Sequence, residues 1–294
     1  MRVALTGASG LIGRRLVAAL RDRGDEVVAF SRSPGLGAVV WDPLAAPAPP
    51  EALAGCDAVV HLAGENIAQR LTAAAKQRIR ASRELGTRNL VAGLRAAEPR
   101  PAVLVHASGG DYYAPAGDER VDESGAPGDG FLAQVCVTWE REASAAEPLG
   151  VRVTHVRTGP VLDRSGGALQ RMLLPFRLGL GGPVAGGRQW FAWIALDDIA
   201  GLYLAALDGG EAWAGPVNAC APEPVRNADF AKALGRALHR PAVLPVPALA
   251  LKALYGDMAH IVTRGVRMVP ARATALGYRF RQPELDEALR SALG

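Results

Sequence analysis

Cysteine is scarce in this chain of 294 residues, which carries only Cys56, Cys136 and Cys220. An odd number of widely separated cysteines cannot form the paired framework of a disulfide-stapled domain. None of the three has the Cys-x-x-Cys spacing of a zinc or thiol-redox site. We therefore expect no structural disulfides and predict no metal site.

Long apolar runs and basic runs are also missing. The most apolar stretch, residues 244–255, is interrupted by Pro245, Pro247 and Lys252, so it does not read as a membrane span. The 33 basic and 29 acidic residues are interspersed and give a formal charge of only +4. These absences argue against membrane and nucleic-acid partners. Met1 leads directly into an apolar strand pattern, so we expect no secretory signal and a cytoplasmic location.

Apolar runs alternate with helical patterns through the first half of the chain. Predicted strands cover residues 2–6, 26–30, 38–41, 57–62, 102–106 and 151–156. Predicted helices cover residues 11–23, 50–54, 72–97 and 130–146. Because strand–helix–strand connections are right-handed, this order predicts an α/β fold with a doubly wound parallel sheet, the Rossmann architecture.

Three glycines at a spacing of three residues follow the first predicted strand: Gly7, Gly10 and Gly13. The first allows a tight turn, the second lets a phosphate approach the backbone, and the third lets helix and strand pack closely. Free N–H groups at the start of the helix, together with its dipole, then attract a diphosphate. Because the triplet lies between a predicted strand and a predicted helix, it predicts dinucleotide binding.

The end of the second strand indicates which dinucleotide is bound, since an acidic residue there would hold the ribose 2′-hydroxyl of NAD. This chain has Ser31, Arg32 and Ser33 instead. Arg32 can pair with a 2′-phosphate and Ser31 can donate a hydrogen bond to it, with Arg14 as an additional cation. NADP(H) is therefore the predicted cofactor, and FAD or another phosphate ligand is an alternative.

The composition changes after Arg157, where glycine, proline and arginine become frequent. We predict a nucleotide-binding domain over residues 1–163 with a returning segment near 190–220. Residues 164–189 and 221–294 are predicted to form a smaller C-terminal substrate lobe. Helix-like spacing returns over residues 190–206, and we expect Asp197 and Asp198 to cap a helix that begins near Leu196.

Longer segments resemble a known family. TGASGLIG near the amino terminus, HLAGENI from His61 and RTGPVLD from Arg157 are similar to the extended short-chain dehydrogenase/reductase superfamily. The segments AKQRIRASRELGTRNLV, GDGFLAQVCVTWE and PFRLGLGGPVAGGRQWFAWIALDDI resemble, more narrowly, its atypical epimerase-like subgroup, which has its own short C-terminal domain. The resemblance covers essentially the whole chain. It implies a Rossmann fold and a nicotinamide cofactor, and says less about the substrate.

The resemblance also implies roles for residues at matching positions. It places the pyrophosphate beside Gly7, Gly10, Leu11 and Ile12, and the adenosine 2′-phosphate beside Arg32. Further implied cofactor contacts are Leu62, Ala63, Gly64 and Val161. The reacting pocket would be faced by Glu65 and Asn66, and Ser108 would bind a substrate carbonyl through its hydroxyl.

One feature of the superfamily is absent, the Tyr-x-x-x-Lys pair that transfers the proton. The matching positions hold Leu132 and Cys136. Leucine has no proton to transfer, and a cysteine stays neutral unless its pKa is depressed. The sequence therefore gives no support to the superfamily's usual mechanism.

Other residues near the fifth strand are candidates for the missing proton donor. Tyr112 and Tyr113 follow Ser108 closely, and Tyr113 is the preferred candidate. A pocket tyrosine needs a nearby cation, which Arg83 or Arg157 could supply. Asp111 is another candidate acid.

Further substrate contacts are predicted outside this region. Arg83 occupies the position of a superfamily asparagine. In the loop over residues 186–190, Arg188 can bind an anion and Trp190 can cover a ring. His61 and His106 lie within apolar strand runs, and we interpret them as core histidines.

These features together predict an NADP(H)-dependent oxidoreductase or epimerase-like enzyme that acts on a small carbonyl or alcohol. The alternative is an NADP(H)-binding sensor or structural binding protein that has lost catalysis, which the absent Tyr/Lys pair favours. The sequence leaves the substrate, the reaction direction and assembly into a homo-oligomer open.

Overall fold

The computed structural model describes residues 1–35, 37–247 and 263–294, and a seven-stranded sheet lies at its centre. The strands of this sheet are β1 (Arg2–Thr6), β2 (Glu26–Ser31), β3 (Val39–Val40), β4 (Ala58–His61), β5 (Val103–Gly109), β7 (Arg152–Thr158) and β11 (Gly215–Ala219). All neighbouring pairs are parallel, in the order β11-β7-β5-β4-β1-β2-β3. The predicted doubly wound parallel sheet is confirmed.

Helices and short strand pairs surround the sheet. The described helices are α1 (Leu11–Asp22), α2 (Pro50–Leu53), α3 (Ala73–Ala96), α4 (Phe131–Ser144), α5 (Gly167–Arg177), α6 (Leu196–Asp208), α7 (Asn227–Leu238), α8 (Ala271–Ala275) and α9 (Leu285–Leu293). The short pairs join β6 (Arg120–Val121) to β13 (Arg267–Met268), β8 (Val161–Leu162) to β10 (Ile194–Ala195), and β9 (Trp190–Phe191) to β12 (Val225–Arg226). None of these helices combines the length and apolarity needed to cross a membrane. Residues 248–255 of the apolar stretch lie outside the described residues.

Alternation along β1 separates the two layers of the core. Val3 and Leu5 of β1 pack with Leu16 and Leu20 of α1 in one apolar cluster, while Ala4 faces a second cluster beneath α3. The strand order runs outward from β1 in both directions, so the carboxyl ends of β1 and β4 form the crevice at which ligands bind in such sheets.

A third apolar cluster lies in the C-terminal part of the chain. It joins α5, α7 and α9 through Leu173, Phe176, Phe230, Leu234 and Leu289. The division into a nucleotide-binding domain and a substrate lobe stays a prediction.

The segment over residues 190–206 is only partly helical, although its spacing of apolar residues is helix-like. Its first part forms the strands β9 and β10, and the helix begins only at Leu196. Apolar residues at short range fit either a helix or two short buried strands, so periodicity alone cannot separate them.

The expectation that Asp197 and Asp198 cap α6 is wrong, because no side chain caps this helix. Asp198 is buried and accepts hydrogen bonds from the backbone nitrogens of Arg281 and Gln282, at 2.7 and 3.0 Å. It therefore ties the C-terminal segment to α6. Asp197 instead pairs with Arg15 of α1.

Three histidines stand at one level of the sheet. His61 of β4 is paired with His106 of β5, which is paired with His155 of β7. All three are buried, so the expectation of core histidines holds for His61 and His106. The Nδ1 of His61 lies 2.7 Å from the hydroxyl of Thr6, and its Nε2 lies 3.0 Å from that of Thr87.

We call His61, His106 and His155 the histidine ladder. Their burial predicts that the free energy of unfolding decreases as the pH falls. Burial, with a smaller contribution from Arg83, lowers the pKa of His61 to about 3, and burial also lowers those of His106 and His155. Below about pH 6.5 the unfolded chain therefore binds protons that the folded chain does not. His61 alone should remove about 2 kcal/mol of unfolding free energy between about pH 7.5 and pH 5.

Urea unfolding of the wild-type protein and of His61→Gln at the two pH values measures this contribution as a difference in pH dependence. The variant should lose less stability on acidification, although it is less stable at both pH values. The exposed His239, in a left-handed conformation that asparagine tolerates, provides the control His239→Asn. Equal pH dependence in wild type and His61→Gln would contradict the assignment.

Candidate functional site

A turn that begins at Gly7 follows the carboxyl end of β1. Gly7 has φ +76°, and a Cβ built there would lie 2.9 Å from the backbone carbon of Leu62, which follows β4. A Cβ at Gly13 would lie 2.2 Å from the Gly7 carbonyl oxygen. Glycine at these two positions therefore lets α1 and the end of β4 approach the turn closely.

The start of α1 offers unused backbone donors. Gly10 is the N-cap residue and supplies no side chain to accept from the first amides of the helix, which include those of Leu11 and Ile12. Such amides, with the positive end of the helix dipole, form a binding site for a phosphate group. The residues present therefore fit a diphosphate.

The end of β2 carries a cation without a protein partner. Arg32 is exposed and makes no hydrogen bond or ion pair with any described residue. The half-buried Ser31 accepts a hydrogen bond from the backbone nitrogen of Ser33 at 3.2 Å. Arg14 donates to the Ser9 carbonyl at 2.6 Å. Of the two arginines, only Arg32 has its guanidinium uncommitted to the described protein.

The segment after β4 is fixed to the end of β1. The backbone nitrogens of Leu62 and Ala63 both donate to the hydroxyl of Thr6 at 3.2 Å. Val161 of β8 is buried in the same apolar cluster that contacts Leu11. The fold thus brings the predicted cofactor-binding residues of three separate segments to one edge of the sheet.

The Arg83 side chain packs against the backbone of Gly64 and Glu65, the next residues of this segment. A Cβ at Gly64 would lie 3.1 Å from the Arg83 guanidinium carbon, and Arg83 donates to the Glu65 carbonyl at 2.9 Å. The guanidinium also lies 4.7 Å from the ring centre of Trp139. Asn66 accepts from the backbone nitrogen of Ala68 at 2.8 Å. In this arrangement Arg83 holds the loop backbone, and its predicted contact with substrate stays a prediction.

Ser108 is anchored by a buried ion pair. Its hydroxyl donates to Oε1 of Glu140 at 2.6 Å, and Ser108 is only 5% exposed. Arg157 grips both oxygens of the same carboxylate, with distances of 2.9 and 2.8 Å. Two charge-assisted bonds in a planar fork hold Glu140 in one orientation, so the proton of Ser108 points inward.

Tyr113 belongs to the same buried network. Its hydroxyl donates to Oδ1 of Asn218 at 2.6 Å and accepts from Arg157 at 3.0 Å. Burial raises the pKa of Tyr113 to about 12, outweighing Arg157 and Asn218, which lower it. Tyr112 is half-buried and places its ring centre 3.5 Å from the Arg157 guanidinium carbon. This placement favours Tyr112 over the preferred Tyr113 as a group that a substrate can reach, and both roles stay predictions.

The two positions that match the missing Tyr/Lys pair are buried. Leu132 and Cys136 of α4 are 9% and 6% exposed. Burial, followed by the charges of Asp111 and Glu140, raises the pKa of the Cys136 thiol to about 12. Asp111 is half-buried, and burial raises its pKa to about 6.

The loop over residues 186–190, in which Arg188 is predicted to bind an anion, ends at the indole ring of Trp190. The ring centre of Trp190 lies 3.8 Å from the guanidinium carbon of Arg226 and 4.6 Å from that of Arg267. Its Nε1 donates to the Gly117 carbonyl at 3.1 Å. Arg188 is exposed beside it. Two cations thus already flank the ring that was predicted to cover a substrate.

Sequence reasoning missed Glu140 and Asn218 as partners of the site. The register pairs Ser108 with Arg157 and Arg157 with Asn218, so polar residues stand side by side on three neighbouring strands. The available signal was a polar residue two positions after a histidine in both β5 and β7, which places His106 and Ser108 on one face.

The fold and the glycine turn define a Rossmann-type α/β protein with a helix N-terminus open to a diphosphate. A family model described as the NAD dependent epimerase/dehydratase family matches residues 3–219. The chain belongs to this family, which confirms the resemblance drawn from its motifs. A second model, described as a domain of unknown function (DUF1731), matches residues 246–292.

Several known proteins are similar over the full chain. The epimerase family protein SDR39U1 of Bos taurus is 40% identical over 100% of both chains. A crystal structure of the human epimerase family protein SDR39U1 with NADPH is 38% identical, with a TM-score of 0.92 over 99% of each chain. The nucleoside-diphosphate sugar epimerase from Corynebacterium glutamicum is 35% identical, with a TM-score of 0.83, covering 100% of this chain and 58% of that one.

The close packing at Gly13 predicts a strong effect of a single methyl group. Gly13→Ala places Cβ where the Gly7 carbonyl oxygen lies, so the turn or α1 must shift. The free energy of unfolding in urea should fall by about 1–3 kcal/mol. Gly210→Ala is the control because nothing lies within 4 Å of a Cβ there, and its change should stay within about 0.5 kcal/mol. Equal effects of the two substitutions would show that the turn tolerates a side chain.

Proposed function

We propose that this protein binds NADP(H) and uses it to oxidise a small alcohol or reduce a small carbonyl, either as a complete reaction or within an epimerisation. The observation that carries the proposal is the uncapped N-terminus of α1, combined with an Arg32 that has no partner among the described residues. The NADPH in the similar human structure supports the same cofactor here.

Each part of the cofactor has a matching group in the chain. The amides of Leu11 and Ile12 would hold the diphosphate, and Arg32 with Ser31 would hold the 2′-phosphate. The nucleotide would be flanked by the segment 62–64 and by Val161. When bound, the nicotinamide supplies a two-electron donor and acceptor.

Ser108 is the proposed contact to the reacting oxygen. Because its proton is directed to Glu140, its lone pairs remain to accept a hydrogen bond from a substrate hydroxyl. The bidentate pair with Arg157 fixes this orientation. Tyr112 is the proposed neighbour on the substrate side. Other proposed substrate contacts are Glu65, Asn66, Arg83, Arg188 and Trp190.

A second candidate function is an NADP(H)-binding sensor or structural protein without catalysis. The buried Leu132 and the neutral thiol of Cys136 favour it, because neither replaces the superfamily's proton donor. The bonded phenol of Tyr113 favours it as well. Turnover separates this candidate from the enzyme, whereas nucleotide binding does not. A cytoplasmic location and assembly into a homo-oligomer stay predictions.

Selection of the 2′-phosphate by Arg32 is the first test. Arg32→Asp should raise the dissociation constant of NADPH by roughly 10- to 150-fold, because one charge-assisted contact is worth about 1.5–3 kcal/mol. The constant for NADH should change little. Fluorescence titration measures both, and Arg95→Asp, an equal change of charge at an exposed position of α3, is the control. Equal losses for the two nucleotides would remove Arg32 from the 2′-phosphate.

Hydride transfer is the second test. Bound NADPH should be oxidised in a single turnover by at least one member of a carbonyl panel of benzaldehyde, diacetyl, isatin and dihydroxyacetone. In the reverse direction, Ser108→Ala should slow the oxidation of the matching alcohol by bound NADP+ by roughly 10- to 100-fold with little change in nucleotide affinity, because it removes the acceptor of the alcohol's hydrogen bond. Ser291→Ala, at an exposed position of α9, is the control. A protein that binds NADPH but stays inert to the whole panel supports the sensor instead.

A further inference from the structure

Asp111 follows Ser108 closely in the chain, and its carboxyl group makes no hydrogen bond or ion pair with any described residue. It is three residues after Ser108, in the short 3-10 turn Gly110–Tyr112 that ends β5. A Cβ at Gly109 would lie 3.4 Å from the sulfur of Cys136 and 3.9 Å from the backbone nitrogen of Asp111. The turn therefore packs beside the α4 position that holds the lysine in the wider superfamily.

Other loop aspartates of this chain show what a structural carboxylate does. Asp42, Asp122 and Asp163 each accept a hydrogen bond from the backbone nitrogen two residues later, at 2.9, 2.9 and 2.7 Å. Asp111 has no such bond and no ion pair with any described residue, although it is half-buried. A partly buried carboxyl group that makes no hydrogen bond or ion pair contributes no contact to stability, and it stays available to a ligand.

The charged and titratable groups around Asp111 are already committed. On α4 these are the neutral thiol of Cys136 and the carboxylate of Glu140, which is held by Arg157 of β7. On its own turn, the ring of Tyr112 stacks on Arg157. Burial alone raises the pKa of Asp111 to about 6, because no cation close enough to lower it faces the carboxyl group. Both protonation states are thus populated near neutral pH.

We propose that Asp111 is the catalytic residue that exchanges a proton with the substrate oxygen, in place of the missing tyrosine. This rests on the proposed function. In reduction, the carbonyl carbon gains a hydrogen and two electrons from reduced nicotinamide while the C=O π bond breaks. The oxygen takes its proton from the Asp111 carboxyl group, which becomes a carboxylate. In oxidation each transfer reverses, and the proton that the alcohol first shares with Ser108 passes to the Asp111 carboxylate.

Asp111→Asn tests the proposal because it keeps the shape of the side chain and removes its acidic proton. With NADPH and the fastest-reacting member of the carbonyl panel, the single-turnover rate should fall by between about 100-fold and 10,000-fold. NADPH affinity should be unchanged. The wild-type rate of reduction should decrease as the pH rises through about 6, since the donor must be protonated, and the residual rate of the variant should lack this step.

A measurement without nucleotide separates this proposal from the function on which it rests. Carbon NMR of aspartate-labelled wild-type protein should contain one carboxyl signal that titrates near pH 6 and is absent in Asp111→Asn. Asp42→Asn, which keeps its turn hydrogen bond, is the control for both experiments and should leave rate, pH profile and that signal unchanged.

Three outcomes of these experiments would overturn the Asp111 proposal, and one of them would also overturn the proposed function. If the wild-type protein turns over and Asp111→Asn retains its rate and pH profile, the Asp111 proposal is overturned and the enzyme function stands. If no carboxyl signal titrates near pH 6, the Asp111 proposal is likewise overturned. If no member of the panel reacts, both the enzyme function and the role of Asp111 fall.

Discussion

The site depends on one steric constraint at the carboxyl end of β1. There, two glycines pack directly against neighbouring backbone with no space for a side chain between them. The turn at Gly7 lies against the chain leaving β4, and α1 lies against the turn at Gly13, at distances that leave no room for a Cβ. This contact fixes the direction of α1, whose first amides then lie beside the crevice at the carboxyl ends of β1 and β4. A side chain at Gly7 would collide with the chain after β4, and one at Gly13 would push α1 away from the turn.

The same sheet carries two polar ladders on the face covered by α3 and α4. In the histidine ladder, His61 and His155 bond to hydroxyl groups of Thr6, Thr87 and Ser144, whereas the buried Nε2 of His106 has no hydrogen-bond partner among the described residues. The second ladder, from Ser108 through Arg157 to Asn218, uses one ion pair to fix the hydroxyl of Ser108 and the phenol of Tyr113. Arg157 and Tyr113 are bonded to each other and to the protein, whereas the nearby Asp111 carboxyl group has no hydrogen bond or ion pair with any described residue.

Local patterns in the sequence were sufficient to predict six of the seven strands of the sheet, its main helices and the glycine turn, because each depends on residues close together in the chain. Asp198 and the segment 190–195 were misjudged since their partners lie far along the sequence: Arg281 and Gln282 for the carboxylate, β8 and β12 for the short strands. Glu140 was missed for the same reason. Its role depends on the strand register and on which face of α4 packs against the sheet. The spacing of apolar residues along the helix specifies neither.

The first amides of α1 are proposed to bind the diphosphate of NADP(H), and a crystal structure of the protein grown with NADPH would show this contact itself. We expect diphosphate oxygens within hydrogen-bond distance of the backbone nitrogens of Leu11 and Ile12, with the 2′-phosphate against Arg32. If NADPH is absent from the crystals at saturating concentration, or if its diphosphate lies elsewhere on the protein, the proposed cofactor site is wrong.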